Sequence, residues 1–471
     1  MIFSIARHEL VTLWRQRTLK ILLPMMTLLT LLVAVNHWQQ QQDFIEVQQQ
    51  WQQLNNEKWE AQPDRHPHRV AHYGSMAFRV ISPLSFLDAG VNPYVGNVLF
   101  LEAHRQNSSQ FKQYLSSQNY MQLGSMTAST LILLIWPLVM IALAYRTVSG
   151  ERQQGTLRQV LSLGVSFRQL LLGKALAYML VTLVFLGLVF GIAAVFLSQA
   201  VLDTDIIQRF FWLFALYGLY CAIWVEIILL VSSLTTGNNQ SLSALLLVWL
   251  LITIIVPKLM SSSADWLYPL PDRAVFDIRT AQAIAQIGDS HNPDDPHFDA
   301  FRQQTLDQYG VEHVEDLPVN WRGLVMQEGE RITSEAFEAV YADVSRSIED
   351  QRRWVMWGSL LSPYILSRSL SGSLALTSSD HVQRYEMAAE RYRYSLIQSL
   401  NTLHAEDIDL AHDREQKVSQ EYWAQLADFE YQPPPLKADW ATMRQSVIVF
   451  SLWLFAVFSV LMFIRPRMTA S

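Results

Sequence analysis

Charge is scarce in this chain. Asp, Glu, Lys and Arg make up 16% of its 471 residues, while hydrophobic residues make up 51%. A soluble domain typically carries about 25% charged residues. The shortfall excludes a disordered protein and argues against an ordinary soluble enzyme. Cysteine is nearly missing. Cys221 stands alone, so an internal disulfide and any CxxC metal or redox motif are excluded. A basic excess is missing too. The formal net charge is -7, which gives no footing for nucleic acid. Neither an HExxH zinc motif nor a GxSxG nucleophile elbow occurs. A P-loop is also absent. Gly173-Lys174 is followed by Ala175, and Arg168 stands where the upstream glycine would be needed to cradle phosphate.

What the chain has instead is long apolar runs. A helix crossing a bilayer needs roughly 20 mostly apolar residues. Six stretches meet or approach this: 19–35, 125–145, 175–197, 210–234, 242–260 and 447–464. Water is absent from hydrocarbon, so each must be a helix that satisfies its own backbone. The fold class expected is therefore an all-α polytopic membrane protein with six transmembrane helices. The first run follows a basic stretch, as in a signal peptide. Its length and the lack of an A-x-A site make it a retained span. Residues 1–18 precede it with Ile2, Phe3, Ala6, Leu10 and Leu13 apolar and Arg7, Arg15 and Arg17 basic, the pattern of an amphipathic cytoplasmic elbow helix.

Basic residues orient the spans. With both termini cytoplasmic, the inside segments hold Arg7, Arg15, Arg17, Lys20, Arg146, Arg152, Arg158, Arg168, Lys174, Arg465 and Arg467, against only Glu9 and Glu151. This satisfies the positive-inside rule. Residues 146–174 then form a cytoplasmic loop and 465–471 a cytoplasmic tail. Two large regions, 36–124 and 261–444, fall outside as mainly helical extracytoplasmic domains. In a bacterium they are periplasmic and the membrane is the inner one.

The first outside region begins in a Gln-rich stretch where Phe44, Val47, Trp51 and Leu54 recur at three, four and three residues. That is one seam of a helix continuing the first span as a stalk. In the second, Val382, Tyr385, Ala389, Tyr392, Leu396, Leu400 and Leu403 mark a long helix, expected to pair with residues 418–429. Pro433, Pro434 and Pro435 read as a stiff connector to the last span. The stretch His291 to Asp299 reads as a turn-rich loop. Ser82-Pro83-Leu84 and Ser362-Pro363-Tyr364 each open an amphipathic stretch. Such a stretch either lies on the membrane surface or packs on the span tops.

The informative segment is the loop between spans two and three. Glu151, Gly155, Thr156 and Leu157 open it. Leu157, Val160 and Leu161 share a helix face, Gly164 ends that helix, and Arg168, Gly173 and Lys174 lead into the third span. This pattern, E-x-x-x-G-T-L followed by an apolar pair, a turn, an arginine and G-K, resembles the membrane subunits of type-2 ABC exporters. Where that family usually has a proline in the turn, this chain has Gly164-Val165. The phrases from Ser82 to Val98 and from Leu101 to Asn107 resemble a bacterial subgroup with two large periplasmic insertions. The resemblance implies a permease subunit without its own nucleotide site. ATP and Mg would be bound by a separate ABC ATPase subunit, held through Glu151, Gly155, Thr156, Leu157, Val160, Leu161 and Arg168. A second permease subunit, identical or paralogous, would complete a dimer in membrane lipid. No cofactor and no catalytic residue are expected in this chain.

Other polar residues point more broadly. Glu226 lies within the fourth run, where a carboxylate must face the bundle, pair or be protonated. It suits a substrate or gating contact, or a structural hydrogen bond. His66, His68 and His72 have a spacing compatible with zinc or copper, against which stand Pro67 and the lack of cysteine. His291, His297, Asp294, Asp295 and Asp299 form a comparable cluster. No metal is expected at either. The rival readings are a membrane-bound enzyme and a periplasmic sensor or scaffold, both without an ATPase partner.

Overall fold

The computed structural model describes residues 1–464 except Gln16, Arg105, 107–125, 289–294 and Ala427. The expected cytoplasmic tail with Arg465 and Arg467, as well as His291 and Asp294, lies outside the described residues. Among the described residues, six helices are long and apolar enough to cross a membrane: Arg17–Glu60, Ala128–Gln153, Phe167–Leu197, Thr204–Leu234, Asn238–Leu267 and Met443–Phe463. The chain is thus an all-α polytopic membrane protein. A short helix, Ile2–Arg15, lies across the third span. It buries Ala6 and Leu13 and exposes Phe3, Val11 and Trp14.

Proline shapes two spans. A wide π-helical turn, Leu131–Ile135, directly precedes Trp136-Pro137, and a second, Leu251–Ile255, precedes Val256-Pro257. Proline has no N–H and crowds the preceding turn, so the helix widens there. Side chains from neighbouring elements cover the carbonyls left over. Tyr220 donates to the carbonyl of Leu133 at 2.7 Å, Trp249 to that of Leu134 at 3.0 Å and Ser362 to that of Ile252 at 2.6 Å. In hydrocarbon no water can take their place. Around the first of these turns the core is tight, with Trp136 stacked on Phe185 at 3.9 Å.

The helix of the first span runs unbroken for 44 residues, about 66 Å at 1.5 Å per residue, or roughly twice the hydrocarbon thickness. Its upper half is the expected stalk, but its inner side is the polar one. Gln41 donates to the Ser82 carbonyl and accepts from Ser85, and Gln48 donates to the Arg79 carbonyl. Phe44, Val47, Trp51 and Leu54 face outward and are exposed.

The two regions expected as separate domains pack together as one head. Trp59, Val70, Ala71 and Ala103 share a core with Leu396, Leu400 and Trp423. A two-stranded antiparallel hairpin, Ser75–Phe78 with Val98–Leu101, pairs Ser75 with Leu101 and Phe78 with Val98. It rests on Tyr385, whose hydroxyl donates to the Ala77 carbonyl. The helix Ser379–Asp407 packs on 418–429 through Leu396, Trp423, Tyr392 and Phe429, but the described residues of that segment hold only the short helix Glu421–Ala424, so they form no helical hairpin. Its antiparallel partner is the 37-residue helix Trp321–Trp357. Arg352 reaches Asp380 at one end and Gln327 reaches Thr402 at the other. The reason is composition. The helix 321–357 is crowded with charge, so its apolar stripe of Ile332, Phe337, Tyr341 and Val344 is diluted in sequence.

Of the two Ser-Pro stretches, Pro363–Leu374 is a helix buried on almost every side against the fourth and sixth spans. Residues 82–90 form turns with Leu84, Phe86 and Leu87 fully buried. Both are packing elements on the span tops. Neither has the exposed face that a membrane-surface helix needs.

Candidate functional site

The loop 146–174 folds as two short helices, Ser149–Gln153 and Thr156–Ser162, where the sequence suggests one from Glu151 to Gly164. Gly155 makes the break, with a left-handed φ of +76°, and Gly164 closes the second helix with φ +85°. Both conformations favour glycine. Ser166 then caps the third span in a reciprocal capping box with Gln169.

The apolar face of this loop points inward. Leu157 is 1% exposed, and Val160 and Leu161 pack against the same bundle core. The outward ridge is Arg158, Gln159, Ser162 and Leu163, the last 80% exposed. Thr156 turns its hydroxyl to the Glu151 carbonyl. Arg168 reaches away from the ridge. It donates to the Met462 carbonyl at 2.8 Å and lies 5.7 Å from the Phe463 ring, closing the end of the sixth span.

Glu151 is held by this chain itself. Lys174 is 2% exposed and bridges Glu151 at 2.8 Å and Glu9 of the elbow helix at 2.7 Å. Tyr178 and Thr147 donate to the second oxygen of Glu9 at 2.8 and 3.2 Å. Gly173 makes the closeness possible. A Cβ there would sit 2.6 Å from Cβ of Ile5 and 2.9 Å from the Ile2 carbonyl. The G-K pair therefore has two jobs: glycine admits the elbow helix and lysine ties it to the loop. Arg152, buried, donates to the carbonyls of Ser233 and Thr235 and caps the fourth span. Ser232 in turn accepts from the Val148 and Ser149 amides and donates to the Tyr145 carbonyl. Elbow, loop and the bases of the third and fourth spans form one hydrogen-bonded block. In the sequence Glu9 and Arg152 stand out only as charges and Lys174 only as half of the G-K pair; their partners are set by the fold.

A second polar block sits at the head end. Asp88, fully buried, meets Arg368 at 2.6 Å and accepts from Ser129 and Ser371, and Ser371 also contacts the Tyr217 hydroxyl at 2.7 Å. Arg209 is fully buried and has four partners: Asp205, Asp439 and the carbonyls of Ser373 and Pro434. An arginine at the edge of an apolar run, with Asp205 four residues before it, was the signal that could have located this block. Glu226 is half-buried in the fourth span, and its Oε2 has no hydrogen-bond partner among the described residues.

The three singled-out histidines separate. His66 caps the helix Pro67–Ala71 and turns its ring to His404, 4.4 Å between centroids. His404 hydrogen bonds Asp413 at 2.7 Å. Together with Arg302, Trp321 and Arg322 they line a head cavity of about 740 Å³. His68, which also lines this cavity, and His72 bring their rings to His104. Of the second cluster, Asp295 caps the helix Pro296–Tyr309 and His297 pairs with Glu328 at 2.8 Å. Asp299 pairs with Arg302.

A family model described as ABC-2 family transporter protein matches residues 3–269. One described as a domain of unknown function (DUF3526) matches 279–432, which includes both long head helices. No curated protein matches the chain. The first match spans the elbow helix, five spans and the loop, more than half of the residues. The chain belongs to the ABC-2 family of transporter proteins, as a multi-pass membrane permease that is a transport component and not itself catalytic.

Proposed function

We propose that this permease couples a separate ABC ATPase to export of a substrate across a bacterial inner membrane, with both termini and the loop 146–174 in the cytoplasm. ATP and Mg belong to the partner. The ATPase seats on the outward ridge Arg158, Gln159, Ser162 and Leu163. Glu151, Gly155, Thr156, Leu157, Val160, Leu161 and Arg168 hold that ridge in place and do not touch the partner. The observation that carries this reading is the Glu9–Lys174–Glu151 knot. A force on the ridge enters a block already joined to the elbow helix and to the bases of the third and fourth spans, so it moves them together.

Cys221 is buried in the fourth span, so Leu163→Cys supplies a single accessible thiol. In native membranes this thiol should crosslink to an ATPase subunit. Labelling by water-soluble reagent alone, with no companion protein captured, would remove the docking role and favour a sensor or enzyme. The reading also includes a second permease subunit. The exposed seam Phe44, Val47, Trp51 and Leu54 has coiled-coil spacing on a stalk beyond the hydrocarbon, and such a seam is self-complementary. Trp51→Glu should shift the purified protein from dimer to monomer in multi-angle light scattering.

A further inference from the structure

We infer that His68, His72 and His104 form a binding site in the head for a divalent transition-metal cation of the zinc and copper class. His68 lies in the helix Pro67–Ala71 and His72 follows its last residue. Four residues apart, they share a helix face. Their Nε2 atoms are 3.2 Å apart. Two nitrogens about 2.0–2.1 Å from a tetrahedral zinc would lie about 3.3 Å apart, so the pair is already spaced as two ligands. His104 comes from the far end of the hairpin and completes the set. One ring nitrogen from each of the three lies within 4.8 Å of the others.

His104 is positioned for this. Its backbone is left-handed, with φ +57°, a conformation that a non-glycine residue holds only where its surroundings enforce it. Here Glu330 enforces it. The Glu330 carboxylate accepts the His104 amide at 3.1 Å and stands 3.4 Å from its ring Nδ1. Glu330 is fully buried and is itself held by Arg393 at 2.7 Å. A carboxylate on one ring nitrogen fixes the tautomer and assigns the other nitrogen, Nε2, to the cluster, which is how metal-ligating histidines are ordinarily supported. Three imidazoles suit zinc or copper over magnesium or calcium. His72 is exposed, so a fourth position opens to solvent and takes water or an incoming ligand.

The test titrates metal-stripped, detergent-purified full-length protein with Zn²⁺ alone, by calorimetry, with thermal unfolding read in parallel. One equivalent per chain should bind and raise the unfolding temperature. His68→Gln and His72→Gln should each weaken binding at least tenfold and lose the thermal shift. His72 is exposed, so that variant folds. His412→Gln, at an exposed surface pair, should bind as the parent does. Absence of Zn²⁺ binding in the parent overturns the inference, as does parental affinity in both ligand variants. Cu²⁺ at one equivalent should show nitrogen hyperfine splitting by electron paramagnetic resonance. A spectrum of oxygen ligation alone would also overturn it.

Discussion

Gly173 and Lys174 show how much of the hydrogen-bonded block at the loop rests on single side chains. Adding a side chain at 173 meets the elbow helix at 2.6 Å, in backbone-rich surroundings that have little room to yield. Overpacking of this kind costs about 1–3 kcal/mol. Gly173→Val should therefore lower the unfolding temperature in detergent and free the elbow helix, seen as faster hydrogen exchange in residues 2–15. Lys174→Met removes the cation between two carboxylates that are 12% and 26% exposed. Breaking a buried pair costs about 3–5 kcal/mol, and the partial exposure of the acids places this variant at the lower end. If the knot transmits motion, Lys174→Met should also cut transport more than it cuts ATP hydrolysis. Equal loss of both would assign it a purely structural role. Leu157→Ala should cost about 2–5 kcal/mol, because it leaves a hole under the loop. It cannot serve as a selective docking variant.

At the scale of elements, the six spans were legible because hydrocarbon imposes a local rule: a run must be apolar and long enough. The wide turns before Pro137 and Pro257 were not legible, although the prolines were in plain view. Widening a turn depends on which neighbour can take the freed carbonyl, and Tyr220, Trp249 and Ser362 lie far away in sequence. Tyr220→Phe should orphan the Leu133 carbonyl in a core with no water and destabilise the protein by about 1–3 kcal/mol, read by thermal unfolding. The stalk runs against a common pattern. An apolar seam is ordinarily the buried face, but here Gln41 and Gln48 pack on the head and Phe44, Val47, Trp51 and Leu54 are exposed. In the head, the helix 321–357 is hard to read from sequence because charge dilutes its sparse apolar stripe.

For the whole molecule the decisive joint is where head meets spans. Asp439 at the foot of the sixth span touches Arg209 of the fourth, 3.2 Å away, and Arg384 and His381 of the head helix Ser379–Asp407, each 3.7 Å away. Burial alone would raise its pKa, but His381, Arg209 and Arg384 together hold it below the ordinary 3.8. A carboxylate with a depressed folded pKa contributes stability that is complete above its unfolded pKa and lost as pH falls through the folded value. The head should therefore loosen from the spans as pH drops below about 3.8. Limited proteolysis of residues 428–436 should report this. Asp439→Asn should be weaker at neutral pH and flat across that window.

The sequence by itself determined the membrane class and the span count, and it carries no P-loop motif. It also located the loop between the second and third spans as the informative one. Each of these rests on local composition or on a short contiguous motif. Only the tertiary structure decided that the loop's apolar face is internal and that Glu151 is spoken for by Lys174. It also decided that His66 parts from His68 and His72 while His104 joins them. Those outcomes depend on residues far apart in sequence meeting in space, as Lys174 meets Glu9 165 positions away and His104 meets Glu330 226 positions away. Hydrophobic periodicity carries no information about such meetings, because charge pairing and imidazole geometry are set by how the helices cross.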